Sequence, residues 1–263
     1  MIIATYNVNS INARMPNLSD WLTRVKPDVV LLQEIKSEFN DFPFFELRSL
    51  GYEAKVLGQK SYNGVAVISR HKMNVIAENL PAFSDEQSRY LEVDLTVDGT
   101  EYRLASVYLP NGNPPYNNPE DDSRYAYKLK WMAALYKRAE ELLELKKPVI
   151  LGGDFNVILT DNDVYSPEEY INNALFRLEV KQRLWALQYL GYYDAFRVLH
   201  HSKNGYTFWE YAGGALQNDM GMRIDYLFLS SLAVDRLVSC EVDKTLRYAS
   251  KPSDHTVLVA ELR

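Results

Sequence analysis

Asn7, Glu34, Asp154, Asn156, Asp225, Asp254 and His255 are the side chains best suited to chemistry in this sequence, and they cluster at the ends of short apolar runs. Glu34 follows the run Asp28 to Leu32 after Gln33, Asp154 follows Val149 to Gly153, and Asn7 follows the opening residues. Asp225 stands near the start of Ile224 to Leu229, and Asp254 with His255 immediately precedes Thr256 to Leu262. Any one of them is explained by the local backbone hydrogen bonds that Asp and Asn make in turns. As a set they gather carboxylate and amide oxygens beside an imidazole, a donor set suited to a hard cation such as magnesium or manganese. Zinc would want a cluster of His and Cys, which four scattered His and one Cys do not build. A hard cation beside a phosphate neutralises its oxygens and aligns a water, so the set is suited to a hard-metal phosphate site.

Positioning such a set requires strands that finish and start on one rim. β-like runs are expected at Met1 to Thr5, Asp28 to Leu32, Gly64 to Ile68, Leu91 to Val97, Tyr102 to Leu109, Val149 to Leu151, Ile224 to Leu229 and Thr256 to Leu262. Leu91, Val93, Leu95 and Val97 alternate with polar residues, and Asp98-Gly99 supplies a hairpin turn, so part of the sheet is antiparallel. In a mixed sheet the end of one strand lies beside the start of its antiparallel neighbour. Val29 to Leu32 and Val149 to Leu151 are continuously apolar, which predicts cover on both faces. Helices are expected around Leu18, Trp21, Leu22 and Val25, over Ser123 to Leu145, after a cap at Ser166, Pro167 and Glu169, and from about Leu175 to Leu190. No linker or fixed-period repeat divides the chain, so residues 1–263 read as one domain.

The chain has 263 residues, 47% of them hydrophobic, enough for a substantial core. Its net charge of -6 excludes general coating of nucleic acid and leaves only a local contact surface. One Cys, no signal-like start and no long apolar run predict a cytoplasmic protein without a membrane span. Asp161, Asn162 and Asp163 lack the spacing of a calcium loop and read as a solvated turn. No Walker, dinucleotide-binding or GxSxG pattern occurs. Arg70-His71-Lys72, Lys36, Arg89, Arg223, Arg247 and Lys251 are candidate phosphate contacts, whereas Lys128, Lys130, Lys137 and Arg138 read as the polar face of the long helix.

Eight segments in order resemble the exonuclease III family of AP endonucleases, within the endonuclease/exonuclease/phosphatase superfamily. They are Ala4 to Asn9, Leu31 to Glu34, Tyr62 to Ser69, Val107 to Asn111, Gly152 to Asn156, Tyr206 to Trp209, Met222 to Tyr226 and Pro252 to His255. The resemblance implies an α/β fold, a four-layer sandwich of two facing mixed β-sheets flanked by helices, as in deoxyribonuclease I. It implies magnesium, replaceable by manganese, held by Glu34 with Asn7 and Asp254 nearby. Asp154 would activate or orient the water and Asn156 hold the phosphate, while His255 pairs with Asp225 and Tyr108 approaches from the other side. Tyr62 and Asn63 would touch the DNA backbone, and Asn111, Arg70 and Arg223 join them as candidate DNA contacts. Phe208, Met222 and Ile224 match the pocket for an extruded abasic sugar, although Met222 stands where an aromatic residue or Leu is usual. Gly112 to Tyr116 replaces a segment carrying a DNA-inserting Arg in some relatives, with Tyr116 the candidate wedge; unchanged incision by Tyr116→Ala would dismiss it.

The implied activity is incision 5′ to abasic sites with 3′ to 5′ exonuclease or 3′-phosphodiesterase action, by a monomer on duplex DNA carrying abasic sites or 3′ ends. The nearest enzyme alternative is a superfamily relative acting on phosphoinositide or sphingomyelin, and the alternative of another class is a catalytically silent DNA-binding module. One energetic objection faces Asp154: an ordinary Asp titrates near pH ~3.9, which sacrifices roughly 4 kcal/mol of basicity at neutral pH.

Overall fold

The computed structural model describes residues 1–81, 83–114 and 124–263. In chain order the elements are β1 (Ile2–Asn7), α1 (Ile11–Val25), β2 (Val29–Gln33), α2 (Phe44–Ser49), β3 (Glu53–Leu57), β4 (Val65–Ser69), β5 (Met73–Glu78), β6 (Tyr90–Val97) and β7 (Thr100–Tyr108). There follow α3 (Arg124–Leu143), β8 (Val149–Asp154), α4 (Pro167–Tyr170), α5 (Leu178–Leu190), β9 (Tyr193–Asp194), α6 (Ala195–Leu199), β10 (Asp225–Leu229), α7 (Ser231–Val234), β11 (Leu237–Asp243) and β12 (Val257–Leu262). They form two six-stranded mixed sheets, ordered β11-β12-β1-β2-β4-β3 and β5-β6-β7-β8-β10-β9. The expected runs all appear as strands. The ones not expected, β3, β5, β9 and β11, are the four sheet edges, where half-exposed residues break up the apolar signal.

The sheets pack face to face through Ile3, Val29, Leu31, Val67 and Leu258 of one and Leu91, Val93, Leu104, Ile150 and Leu227 of the other. α1 and α2 cover the outer face of the first sheet, α3 and α5 that of the second, giving four layers. The Asp98-Gly99 hairpin has positive φ at both turn residues, as a two-residue turn matched to strand twist requires. Gly152 and Gly153 permit close packing where β8 approaches the site. A Cβ on Gly153 would sit 1.8 Å from the Val107 carbonyl oxygen, and one on Gly152 would meet Leu31 and Leu227 at 2.6 Å.

Three helix expectations need correction. Ser166 makes no side-chain cap bond, and α4 ends after four residues; the capping box belongs instead to Thr160 and Asp163. α5 starts at Leu178 rather than near Leu175. Lys128 is on the buried stripe of α3 with Tyr125, Met132, Leu135, Ala139 and Leu142, not on its polar face. Its ammonium donates to the carbonyls of Asn156 (2.6 Å), Asn111 (3.0 Å) and Ala174 (3.1 Å). Burial pushes this lysine down to about 7, but three carbonyl acceptors match the three protons of the charged form. No helix among the described residues is long and apolar enough to cross a membrane.

Candidate active site

Register explains why distant residues meet. β1 and β2 run parallel with Asn7 opposite Gln33, so Glu34 emerges beside Asn7. β12 is antiparallel to β1, which brings its preceding residues, Asp254 and His255, to the same rim. In the other sheet Asp154 lies opposite both Tyr108 of parallel β7 and Asp225 of antiparallel β10. Glu34, Lys36 and Asn156 adopt positive φ, a backbone strain that concentrates where side chains must be aimed.

Asn7 joins the two sheets: its Nδ2 donates to Glu34 Oε1 and to Asp154 Oδ2, both at 2.9 Å. Tyr108 donates to the same Glu34 oxygen at 2.7 Å. The Lys36 ammonium sits 2.9 Å from Glu34 Oε2 and donates to Asn9 Oδ1, while Asn9 Nδ2 donates to Asp254 Oδ1 at 3.0 Å. Burial works to raise the Glu34 carboxyl, but Lys36, Asn7 and Tyr108 outweigh it and hold Glu34 below its ordinary range. Beneath the rim, Thr5 donates to Gln33 Oε1 at 3.2 Å, Gln33 Nε2 to Ser106 Oγ at 3.0 Å, and Ser106 back to the Leu32 carbonyl at 2.9 Å.

His255 lies between two aspartates, with Nδ1 2.8 Å from Asp225 Oδ2 and Nε2 3.7 Å from Asp154 Oδ2. Burial alone would lower the imidazole, but Asp225 and then Asp154 raise it to about 10, so it is held as the cation. Asp154 is raised to about 7, first by burial, with His255 opposing and Asp225 and Glu34 reinforcing the rise. The Asp225 Oδ1 is buried without a partner. Asp154, Asp225 and His255 lie close enough to share an ion. Glu34 and Asp254 line the same cavity and offer further carboxylate oxygens of the kind a hard cation takes, and Glu34 already accepts the Lys36 ammonium at 2.9 Å.

Asn156 Nδ2 donates to the Leu109 carbonyl at 2.9 Å and its Oδ1 accepts from Asn111 at 3.1 Å, so Asn111 does reach the site. A cavity of about 300 Å³ is lined by Glu34, Tyr108, Asp154, Asn156, Asp254 and His255 together with Phe208, Met222 and Ile224. Phe208 meets His255 edge to face at 5.0 Å between ring centroids. Tyr62 is 71% exposed, whereas Asn63 is buried with its amide donating to Gln59 and Gln87.

Several assignments change. Arg223 is wholly buried, with Nε on Asp163 and Nη1 on Asp194, each at 2.7 Å, and is withdrawn as a DNA contact. Asp163 is therefore no solvated turn residue; it also pairs with Arg197. Arg70 lies beside Asp28 at the start of β2, not its end, because β4 is antiparallel to β2. Five strand residues at ~3.3 Å each put it roughly 17 Å from the catalytic rim, which removes it from the same contact set. Arg89 lies over the Tyr108 ring at 4.7 Å and donates to the Tyr108 carbonyl, and Arg247 donates to the Trp209 carbonyl. Tyr116 lies outside the described residues. Sequence reasoning missed Asn9 as the link from Lys36 to Asp254, although it stands two residues after Asn7.

Residues 4–255 match the endonuclease/exonuclease/phosphatase family. This chain belongs to that family. It is 28% identical over its whole length, and the whole length of the relative, to exodeoxyribonuclease III of Haemophilus influenzae. An AP endonuclease from Archaeoglobus fulgidus superposes with a TM-score of 0.91 at 30% identity, covering 100% of this chain and 99% of that one. The 3′-5′ exonuclease NExo from Neisseria meningitidis superposes with a TM-score of 0.90 at 33% identity and the same coverage. The resemblance read from the eight segments, the two-sheet fold it implied and the assignment as a hydrolytic enzyme are thus borne out.

Proposed function

We propose that this chain is a magnesium-dependent DNA repair phosphodiesterase that cuts 5′ to abasic sites and processes 3′ ends as an exonuclease and 3′-phosphodiesterase. One observation carries the reading: the Asn7 amide ties Glu34 of one sheet to Asp154 of the other, and both carboxylates line a cavity shared with Asn156, His255, Phe208, Met222 and Ile224. Relatives named as exodeoxyribonuclease III and AP endonuclease support DNA as substrate, as does a similar 3′ phosphatase, NExo, bound to product DNA hairpin. Glu34, with Asp254 and Asn7 beside it, would hold the metal. The ion would supply charge neutralisation and water alignment at the phosphate.

The chain's own groups divide the remaining work. Asp154 takes the water proton; its rise to about 7 removes most of the basicity deficit of an ordinary aspartate. His255, charged and held by Asp225, donates toward a phosphoryl oxygen. Tyr108 fixes Glu34, and Asn156, pinned through Leu109 and Asn111, keeps one amide hydrogen for the phosphate. Phe208, Met222 and Ile224 receive the extruded sugar, and Tyr62 meets the backbone. Matched abasic, undamaged and 3′-blocked duplexes, incubated with magnesium or EDTA beside Glu34→Ala and Asp154→Asn, test the proposal. Loss of cleavage in EDTA and in both variants is expected; cleavage surviving all three overturns it.

A further inference from the structure

An abasic sugar needs an apolar cavity without polar groups waiting for a base. The cavity here departs from that requirement, because Asn113, Tyr170, Asn173 and Glu210 line it alongside Phe208, Met222 and Ile224. The two amides are held in fixed orientations. Asn173 Oδ1 accepts from the Leu175 backbone at 2.9 Å and from Asn113 Nδ2 at 3.0 Å, while Asn113 Oδ1 accepts from the Ala174 backbone at 3.0 Å. Because a backbone N–H claims Asn173 Oδ1, the amide cannot flip, and Nδ2 is presented as a donor with no partner among the described residues. The segment carrying it is anchored from below, where the buried Lys128 ammonium holds the Ala174 carbonyl at 3.1 Å. Phe208 and Tyr170 offer ring faces and edges on the same cavity.

We infer that this wall receives the base of an intact nucleotide, with Asn173 as a specificity-determining donor to an acceptor on the base edge. The inference rests on the DNA phosphodiesterase reading and names the substrate class within it: 3′-terminal nucleotides that keep their base, in preference to baseless ends. Every base carries a ring nitrogen or carbonyl acceptor, so one donor favours bases as a class over a bare sugar without choosing among them. Asn173 is half-buried, so water partly replaces a missing base. The expected preference attributable to it is accordingly modest, roughly 3- to 10-fold, the range of one net hydrogen bond.

The test uses two duplexes identical except that one ends in a 3′ nucleotide and the other in a 3′ tetrahydrofuran residue lacking the base. kcat/KM for release of the terminal unit is measured on both with the full-length protein and magnesium. Asn173→Asp keeps the oxygen that Leu175 and Asn113 use but removes the donor, and any repulsion it adds toward phosphate acts on both substrates and cancels in their ratio. Asn173→Ala removes the donor without adding charge. The ratio of base-bearing to baseless rates should fall roughly 3- to 10-fold in each variant, with turnover of the baseless end reporting that the protein is folded. A ratio within about twofold of wild type in either variant that still releases the baseless end overturns the inference. Failure of the wild-type protein to release either end would overturn the 3′-end-processing part of the DNA phosphodiesterase reading, on which the inference stands, a different result from an unchanged ratio.

Discussion

Asp154, His255 and Asp225 form a buried cation between two aspartates, and so do Asp163, Arg223 and Asp194, yet the two clusters have opposite properties. In the second, a guanidinium that never loses its charge donates twice at 2.7 Å, and Asp163 also accepts from the Thr160 backbone and hydroxyl. Asp194 is the N-cap of α6, taking the Phe196 and Arg197 N–H groups. Burial would raise Asp163, but Arg223 and Arg197 dominate and hold it below its ordinary range. In the first, the cation is an imidazole that can lose its proton, one contact is a loose 3.7 Å, and the atom without a partner is an acceptor, Asp225 Oδ1, where in the second it is a donor, Arg223 Nη2. A fixed charge surrounded by filled acceptors fastens a loop; a titratable charge with spare acceptor capacity leaves room for a reaction.

The contrast can be broken most sharply at the imidazole. His255→Ala should lower kcat by about 10²- to 10⁴-fold on cleavable duplex DNA. Arg223→Met should leave the chemical step within a few-fold and act on the fold instead. Leaving Asp163 and Asp194 buried without their cation should cost about 3–5 kcal/mol in urea unfolding, and a loss under 1 kcal/mol would show that the two clusters do not differ as described. A pH series separates them further. His255, raised from 6.5 to about 10, contributes stability that is complete below 6.5 and is lost as pH rises toward 10, at up to about 1.4 kcal/mol per pH unit. Asp163, being depressed, contributes stability that is present above the ordinary Asp range and is lost only as pH falls below it. The stability difference between wild type and His255→Ala should therefore shrink as pH rises from 6.5 to about 10, which urea unfolding of both proteins across that range measures. The smallest effect is expected at Arg70→Ala, whose far-rim position predicts a cleavage rate within about twofold of wild type and a stability change within about 0.5 kcal/mol.

The residues at strand ends were legible because acceptor side chains stand out against apolar runs, and antiparallel neighbours then place them on one rim. Reading charge by neighbourhood failed where the third dimension decides. Arg223 sits between Met222 and Ile224 in a motif, but nothing local announces Asp163 and Asp194. Arg70 follows a strand whose direction the sequence does not state. Lys128 did leave a trace: positions 125, 128, 132, 135, 139 and 142 keep the three-and-four spacing of one helical face, and a lysine on that face has to find acceptors. The polar side of the cavity was invisible because Asn113 and Asn173 meet only through tertiary contact.

Glu34 belongs to one sheet and Asp154 to the other, so their separation is set by how the sheets are indexed against each other. Apolar packing resists gaps but its dispersion contacts have no direction of their own, so a directional hydrogen bond adds an alignment that they do not specify. The chain of Thr5, Gln33 and Ser106 beneath the rim behaves as a dowel pin driven through both layers. It adds little holding force compared with the core around it, but it fixes alignment at the depth where misalignment would be felt by the reacting atoms.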